Sequence, residues 1–528
     1  MNLINNNFSH ILIDMINYFS FSTEIFIKNQ PELNIYIKFC IATFNFTIVT
    51  LIILAILNFL AFIFLKTNSI INKIITFINI LIMTVITTIL LIKLYISLKL
   101  EKSIGISLYE INQYIFINKD NFYLKYVNVF SSSFSDAVLL LCFITGIVCL
   151  DILGSKNLLK NVNNLSIFYI FNIFVTIMVS SNNLLIMFLS FEFIFLPTLY
   201  FVFKTGYSKK IDKAGQILLY WTLFGSFLVL CNLTYIYYVY NTLDFFFLSK
   251  QKFSSNESRI LFFNFFLGFG IKIPLVPFHF WLLKVHVESP TAFSIFLSGF
   301  LVKSALYCLF MLVSILNIES NQFFILLWIL YSLLISSLGL ARQIDIKKLI
   351  AWATIQEMSF MLLFLLFKQF FLTYTCILFV VLHGLMSTYM FYIVDILQRR
   401  FKTRSILFIK GLNFIAPKMS LYIWFLILLF SGFPLTAKFI IEWNLMSLMI
   451  NNNNVILICT ILFVNFLGTI FFCKIMFTIL YGTPEKIKED DKTIIEFIET
   501  QKKEYFILRT LILFIMILTF LIYMFKWI

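Results

Sequence analysis

Apolar residues run along this chain in stretches of about twenty or more, each closed off by a cluster of charges, by asparagines, or by proline and glycine. A bilayer's hydrocarbon core needs about 20 apolar residues per helix, so the pattern predicts many spanning helices rather than one buried core helix. The runs fall near 36–65, 70–98, 133–152, 165–181, 183–204, 213–240 and 260–281, and then near 290–316, 322–341, 346–367, 370–397, 418–447, 453–482 and 506–527. They predict an all-α polytopic membrane protein of about 14 transmembrane helices with both termini on one side. Residues 1–30 are mildly amphipathic and read as a further interfacial or spanning helix. The polar stretches 101–132 and 484–505 are the sizeable extramembrane segments.

Charge in the loops gives the orientation. Loops after odd-numbered spans are basic: four lysines between Lys204 and Lys213, then Arg342 with Lys347 and Lys348, then six basic residues from Arg399 to Lys418. The loops 317–321 and 451–454, after even-numbered spans, carry no basic residue. Basic loops stay on the cytoplasm-like face, so both termini are expected on the opposite, outer side. The segment Lys250 to Arg259, with three basic residues on the outer side, runs against the trend.

Composition agrees: 61% of the 528 residues are hydrophobic and 12% charged, against about 25% charged in soluble domains. The net charge of +15 comes without a nucleic-acid-binding motif and is explained by membrane topology, so no nucleic-acid partner is expected. Eight cysteines are scattered through apolar runs without a C-x-x-C pair or a nearby histidine, which reads as buried thiols rather than disulfides or an iron–sulfur site. Asp14, Glu24 and Lys28 make the first thirty residues unlike an arginine-rich transit peptide or a secretory signal, which predicts insertion from the compartment of synthesis. No Walker or G-x-G-x-x-G pattern is present, so the energy source is expected outside the chain.

Charges inside the hydrocarbon carry the functional signal, because each costs at least about 2.5–3.5 kcal/mol and usually marks an ion pathway or a pair. Glu192, Lys272, Lys303, Glu357, His383 and Glu442 lie within six different spans. Lys303 is about 13 residues from either end of its span, and a lysine stem of roughly 6 Å cannot snorkel across that many 1.5 Å steps. Glu357 lies about 11 residues into its span, after Lys347 and Lys348, and reads equally as a structural ion pair and as a proton relay. Lys93, Lys438 and Lys474 stand near span ends or a helix break, where snorkelling or a structural pair is the default. His279 and His286, flanking Trp281 and Lys284, fall in a break between spans and read as hydrogen-bonding groups rather than metal ligands.

Glycine and proline add a second signal. The segments Gly268 to Pro274 and Ser431 to Pro434 would each interrupt a span and free backbone polar groups. These breaks fall in spans seven and twelve, beside Lys272 and Glu442, the pattern of inverted-repeat transporters with ion sites at broken helices. The expected organisation is N-terminal helices and a polar loop over 1–162, inverted five-helix repeats over 163–316 and 317–482, and a loop with a final helix over 483–528.

Specific motifs now point to a family. The run KIPLVPFHFWLLKVHVESPTA at 272–292 resembles the K-x-P-x-x-x-x-H-x-W-L-x-x-A-H-x-x-A-P-x-A signature of the antiporter-like membrane subunits of respiratory NADH:ubiquinone oxidoreductase (complex I), which Mrp-type antiporters share. Phe191-Glu192 followed by Leu196-Pro197 is similar to its F-E-x-x-L-x-P, the run from Asp345 to Trp352 to its D-x-K-x-L-I-A-Y, and the run from His383 to its H-G-L-x-S. The resemblance covers roughly 180–445. It implies a Glu192–Lys272 pair in a first half-channel, continued by Lys303, His383 and Glu442. Glutamate at 442 resembles the subunit 4 branch, where subunits 2 and 5 end in lysine. Two positions depart from the pattern: Gln356-Glu357 stands where serine–histidine is usual, and Ala437-Lys438 where a small polar pair is usual.

The resemblance implies a proton-translocating membrane-arm subunit with no redox centre of its own. Electrostatic work in partner subunits would separate Glu192 from Lys272, and the released proton would pass Lys303 and His383 to Glu442. Lysine gives up a proton in a desolvated site, whereas arginine could not. NADH, FMN, iron–sulfur clusters and ubiquinone would belong to partners, among them antiporter-like subunits 2 and 5. The Phe, Ile, Asn and Lys bias suggests an A/T-rich organellar genome, hence the mitochondrial inner membrane, with a bacterial plasma membrane as the alternative. The competing readings are an Mrp-type cation/proton antiporter subunit and a non-pumping structural subunit.

Overall fold

The computed structural model describes Thr43 and residues 46–54, 69–104, 133–155, 163–205, 210–251, 253–316, 323–366, 370–451, 455–483 and 502–527. These residues form α1 (Ser69–Ile104), α2 (Ser133–Ser155), α3 (Asn163–Ser180), α4 (Leu184–Thr205), α5 (Ile211–Tyr240), α6 (Phe245–Lys250), α7 (Ser255–Lys272) and α8 (Phe280–Glu288). There follow α9 (Thr291–Leu316), α10 (Phe323–Leu340), α11 (Ile346–Leu366), α12 (Phe370–Phe401), α13 (Leu412–Ile415), α14 (Pro417–Ser431), α15 (Ala437–Asn451), α16 (Val455–Tyr481) and α17 (Lys502–Trp527). Among the described residues, seven helices are long and apolar enough to cross a membrane. The expectations for 1–30 and most of 484–505 lie outside the described residues.

Burial sorts the helices into two shells. The most apolar stretches of α9, α11 and α12 are 89%, 94% and 100% buried, whereas those of α5, α10 and α16 are 39% or less. Outer helices that turn Phe227, Tyr238, Phe324 and Phe466 outward are compatible with lipid and not with water. Lys303, Glu357 and His383, carried by α9, α11 and α12, therefore sit on the inner layer.

Spans seven and twelve are each split in two. The first break runs from 273 to 279, where Pro274 and Pro277 supply no N–H to continue α7. Carbonyls freed there find donors: the Trp281 indole gives to Ile271 at 2.8 Å and the Trp328 indole to Val276 at 2.6 Å, while the Val276 N–H gives to Ser332 Oγ at 3.3 Å. Backbone polar groups thus stay satisfied at membrane depth. Helix resumes as α8, so 282–288, expected as part of a break, is helical, and His286 is buried with its ring stacked on Phe391 at 4.8 Å. At the second break Gly432 takes φ +65°, the left-handed conformation that favours glycine at a helix C-terminus.

Two glycines set the distance between α5 and α7. A Cβ on Gly225 would stand 2.7 Å from the Gly268 carbonyl oxygen, and one on Gly268 would meet Val229 at 2.7 Å and the Gly225 carbonyl oxygen at 2.9 Å. Small residues at such crossings let backbones touch. Gly268→Val should push α7 away from α5, at an overpacking cost of about 1–3 kcal/mol. The expected readout is a lower melting temperature of the solubilised complex; an unchanged value would mean that the crossing is loose.

Candidate proton-transfer axis

Glu192 comes from α4, five residues before Pro197, and Lys272 is the last residue of the half-helix α7. The Lys272 ammonium donates to Glu192 Oε1, with side-chain exposures of 1% and 24%. A cation at a helix C-terminus is favoured by the helix dipole. Aromatic faces complete the surroundings, with Phe191 at 4.4 Å and Phe195 at 5.2 Å from Nζ. Sequence and structure agree on this pair, which bridges two helices eighty residues apart.

Lys303, on α9, is fully buried. The helix widens to a π turn at Leu297–Leu301 just before it, and the ammonium donates to the Ser298 carbonyl. Lys303 lies within electrostatic reach of Glu357, and buried His383 on α12 within reach of Lys303 and Lys438. Charged or ionisable groups therefore continue from Lys303 across the inner helices.

The far end is a cluster of three. Glu357 on α11 accepts from Lys438 Nζ at 2.6 Å, and Glu442, one turn after Lys438 on α15, stands 3.6 Å from the same nitrogen. The Phe430 carbonyl, freed at the end of α14, accepts from Lys438 at 2.7 Å. Asn465 on α16 donates to Glu442 Oε1 at 2.9 Å. Of the two readings of Lys438, the paired one matches this geometry: the side chain is 1% exposed and does not snorkel.

Other buried charges stand apart. Lys93 pairs with Asp136 at 2.8 Å between α1 and α2. Lys347 does not meet Glu357; it donates to the Ser289 carbonyl at 2.8 Å, while Asp345 caps α11 through the Lys347 N–H at 2.9 Å. On the remaining side, Arg399 and Arg400 of α12 reach Glu504 of α17 at 3.3 and 2.6 Å, Arg399 also holds Asp395 at 2.9 Å, and Asp395 accepts from Thr291. Glu504 lies in a stretch expected to be an extramembrane segment, yet α17 already begins at Lys502 and the two arginines draw the carboxylate inside.

Sequence reasoning missed Asn465 as a polar partner, and Asp136 and Asp395 as buried ones. An asparagine or aspartate inside an apolar run was the available signal.

Residues 181–468, just over half of the chain, match the family model described as NADH:quinone oxidoreductase/Mrp antiporter, transmembrane. A protein of Paramecium tetraurelia named NADH-ubiquinone oxidoreductase chain 4 is 34% identical over 412 residues, which cover 78% of this chain and 86% of that one. In shape the chain is similar to one in respiratory complex I from Thermus thermophilus, with a TM-score of 0.65, 17% identity and coverage of 83% and 94%. It is also similar to one in the Mrp complex of a Dietzia species, with a TM-score of 0.64, 16% identity and 81% coverage of each. With both the family model and a relative at this identity and coverage, the chain belongs to the NADH:quinone oxidoreductase/Mrp antiporter membrane family, on its complex I chain 4 branch.

Proposed function

We propose that this chain translocates protons as a core membrane-arm subunit of respiratory complex I, driven by NADH oxidation and ubiquinone reduction in partner subunits. The observation that carries this reading is the Glu192–Lys272 pair, its lysine buried at the tip of a broken helix. A paired lysine in a low-dielectric site keeps its proton while the carboxylate is close and yields it when the carboxylate is withdrawn. Lys303, Glu357, His383 and Glu442 continue the axis toward α16. NADH, FMN, iron–sulfur clusters and quinone bind to partners, with the antiporter-like subunits 2 and 5 as membrane neighbours. The two five-helix units at 163–316 and 317–482 form an inverted pair in the mitochondrial inner membrane.

Glu192→Gln tests the reading. Proton pumping and quinone reduction should fall together, while electron transfer from NADH to an artificial acceptor at the flavin end stays unchanged. Normal pumping in that variant removes Glu192 from the mechanism. Likeness of fold to the Mrp complex keeps a cation/proton antiporter as the second reading. Purification decides between them: flavin and iron–sulfur subunits travelling with the chain support the first.

A further inference from the structure

We propose that Glu357, Lys438 and Glu442 form a one-proton loading site in which Glu442 takes and releases the proton while Glu357 is the fixed counter-ion of Lys438. The inference rests on the proton-translocating reading and deepens it. Its starting point is that the two positions at which the sequence departs from its family's pattern, Glu357 and Lys438, are the two ends of one ion pair. They amount to a single paired change.

Charge counting gives the capacity. With both carboxylates ionised and the lysine protonated, the cluster carries one net negative charge in a setting where uncompensated charge is costly. Taking up one proton makes it neutral, and losing that proton restores the starting state.

Geometry gives the position of that proton. Lys438 lies 2.6 Å from Glu357 and 3.6 Å from Glu442, and it is anchored on the Phe430 carbonyl at 2.7 Å. Glu357 is therefore the better compensated acid, and its side chain is 4% exposed against 18% for Glu442. Glu442, with weaker compensation and partial access, is the member placed to exchange protons. Asn465 is a positioning residue: its amide holds Glu442 Oε1 at 2.9 Å, and Gln356 stands behind it at 3.5 Å. Lys438 sits in the first turn of α15, where a helix dipole disfavours a cation. Two carboxylates around one ammonium offset that placement.

The count dictates the test. Glu357→Gln leaves Lys438 and Glu442 as a neutral pair with no need of a further proton. Lys438→Met leaves two close carboxylates with no cation between them. The double variant restores one net negative charge. In the assembled complex each single change should lower NADH-driven pumping about tenfold or more, and the double should recover to within about threefold of native, a non-additivity expected only of groups that act together. A double variant as impaired as the singles combined overturns the proposal. If a single variant fails to assemble on a native gel, assembly becomes the readout, with the same requirement of rescue by the double. Redox-induced infrared difference spectra locate the proton: a carboxylic-acid carbonyl band should vanish in Glu442→Gln and persist in Glu357→Asp. A band that survives Glu442→Gln puts the proton elsewhere and overturns the assignment. Lys272→Ala measured in parallel separates the two levels. Normal pumping there rejects the axis as a whole, whereas lost pumping there without rescue in the double rejects the loading site alone.

Discussion

Lys272→Arg is expected to assemble as the native chain does and to abolish proton pumping. The guanidinium can keep the ion pair with Glu192 and the contact with the Phe191 ring, so the structural part of the interaction survives. What it cannot do is let the proton go. Arginine holds its proton to at least about pH 12, so release near neutrality costs roughly 7 kcal/mol at 1.36 kcal/mol per pH unit. A barrier raised by that amount stops turnover altogether. The measurement is NADH-driven acidification in sealed vesicles beside complex assembly on a native gel. Native pumping with arginine in place would mean that the proton bypasses this side chain. Lost assembly would mean that the pair is structural first.

Much of this site is legible in the amino-acid sequence. Lys272 and Glu192 stand out because charge is rare in long apolar runs, and the Gly268 to Pro274 segment announces the broken helix by the absence of donors and side chains. Lys438 stays ambiguous in the sequence for a physical reason. Its nearness to the Ser431 to Pro434 break looks like nearness to water, but the break lies inside the protein, and the residue that holds Lys438 is 81 positions away on α11. Linear spacing carries no information about such a contact. Asn465 is similarly hidden, since one amide barely alters the apolar character of α16, and only the fold brings it to Glu442. The wide turn in α9 leaves no trace in the pattern at all.

Glu504→Ala should loosen the start of the final helix. The side chain is 6% exposed, accepts from Arg400 and pairs with Arg399, whose exposures are 7% and 29%. Removing the carboxylate takes away the ion pair of a largely buried arginine, and breaking such a buried pair costs about 3–5 kcal/mol. Arg399 keeps Asp395 and some access to water, which places the expected loss at the lower end of that range. Leu508, Leu511 and Ile515 still bury one face of α17, so the helix loosens at its start rather than along its length. Limited proteolysis should cut faster just before α17, with a reduced melting temperature. An unchanged cleavage pattern would show that the apolar face alone docks the helix. Asp395 binds both Thr291, the first residue of α9, and Arg399, so the loss should also reach the helix that carries Lys303.

The π turn of α9 ties Lys303 to the winding of its own helix. In such a turn the N–H of Val302 reaches back five residues to Leu297, and the ammonium of Lys303 serves as a donor to the neighbouring Ser298 carbonyl. The donor is strongest while the side chain is cationic. A neutral amine weakens that bond and removes part of what holds the turn wide, and closing the turn to α geometry alters the winding by one residue, about 100° of rotation. Helix winding and the charge of Lys303 thus share one hydrogen bond, so a change in that charge would bear on the winding of a buried helix.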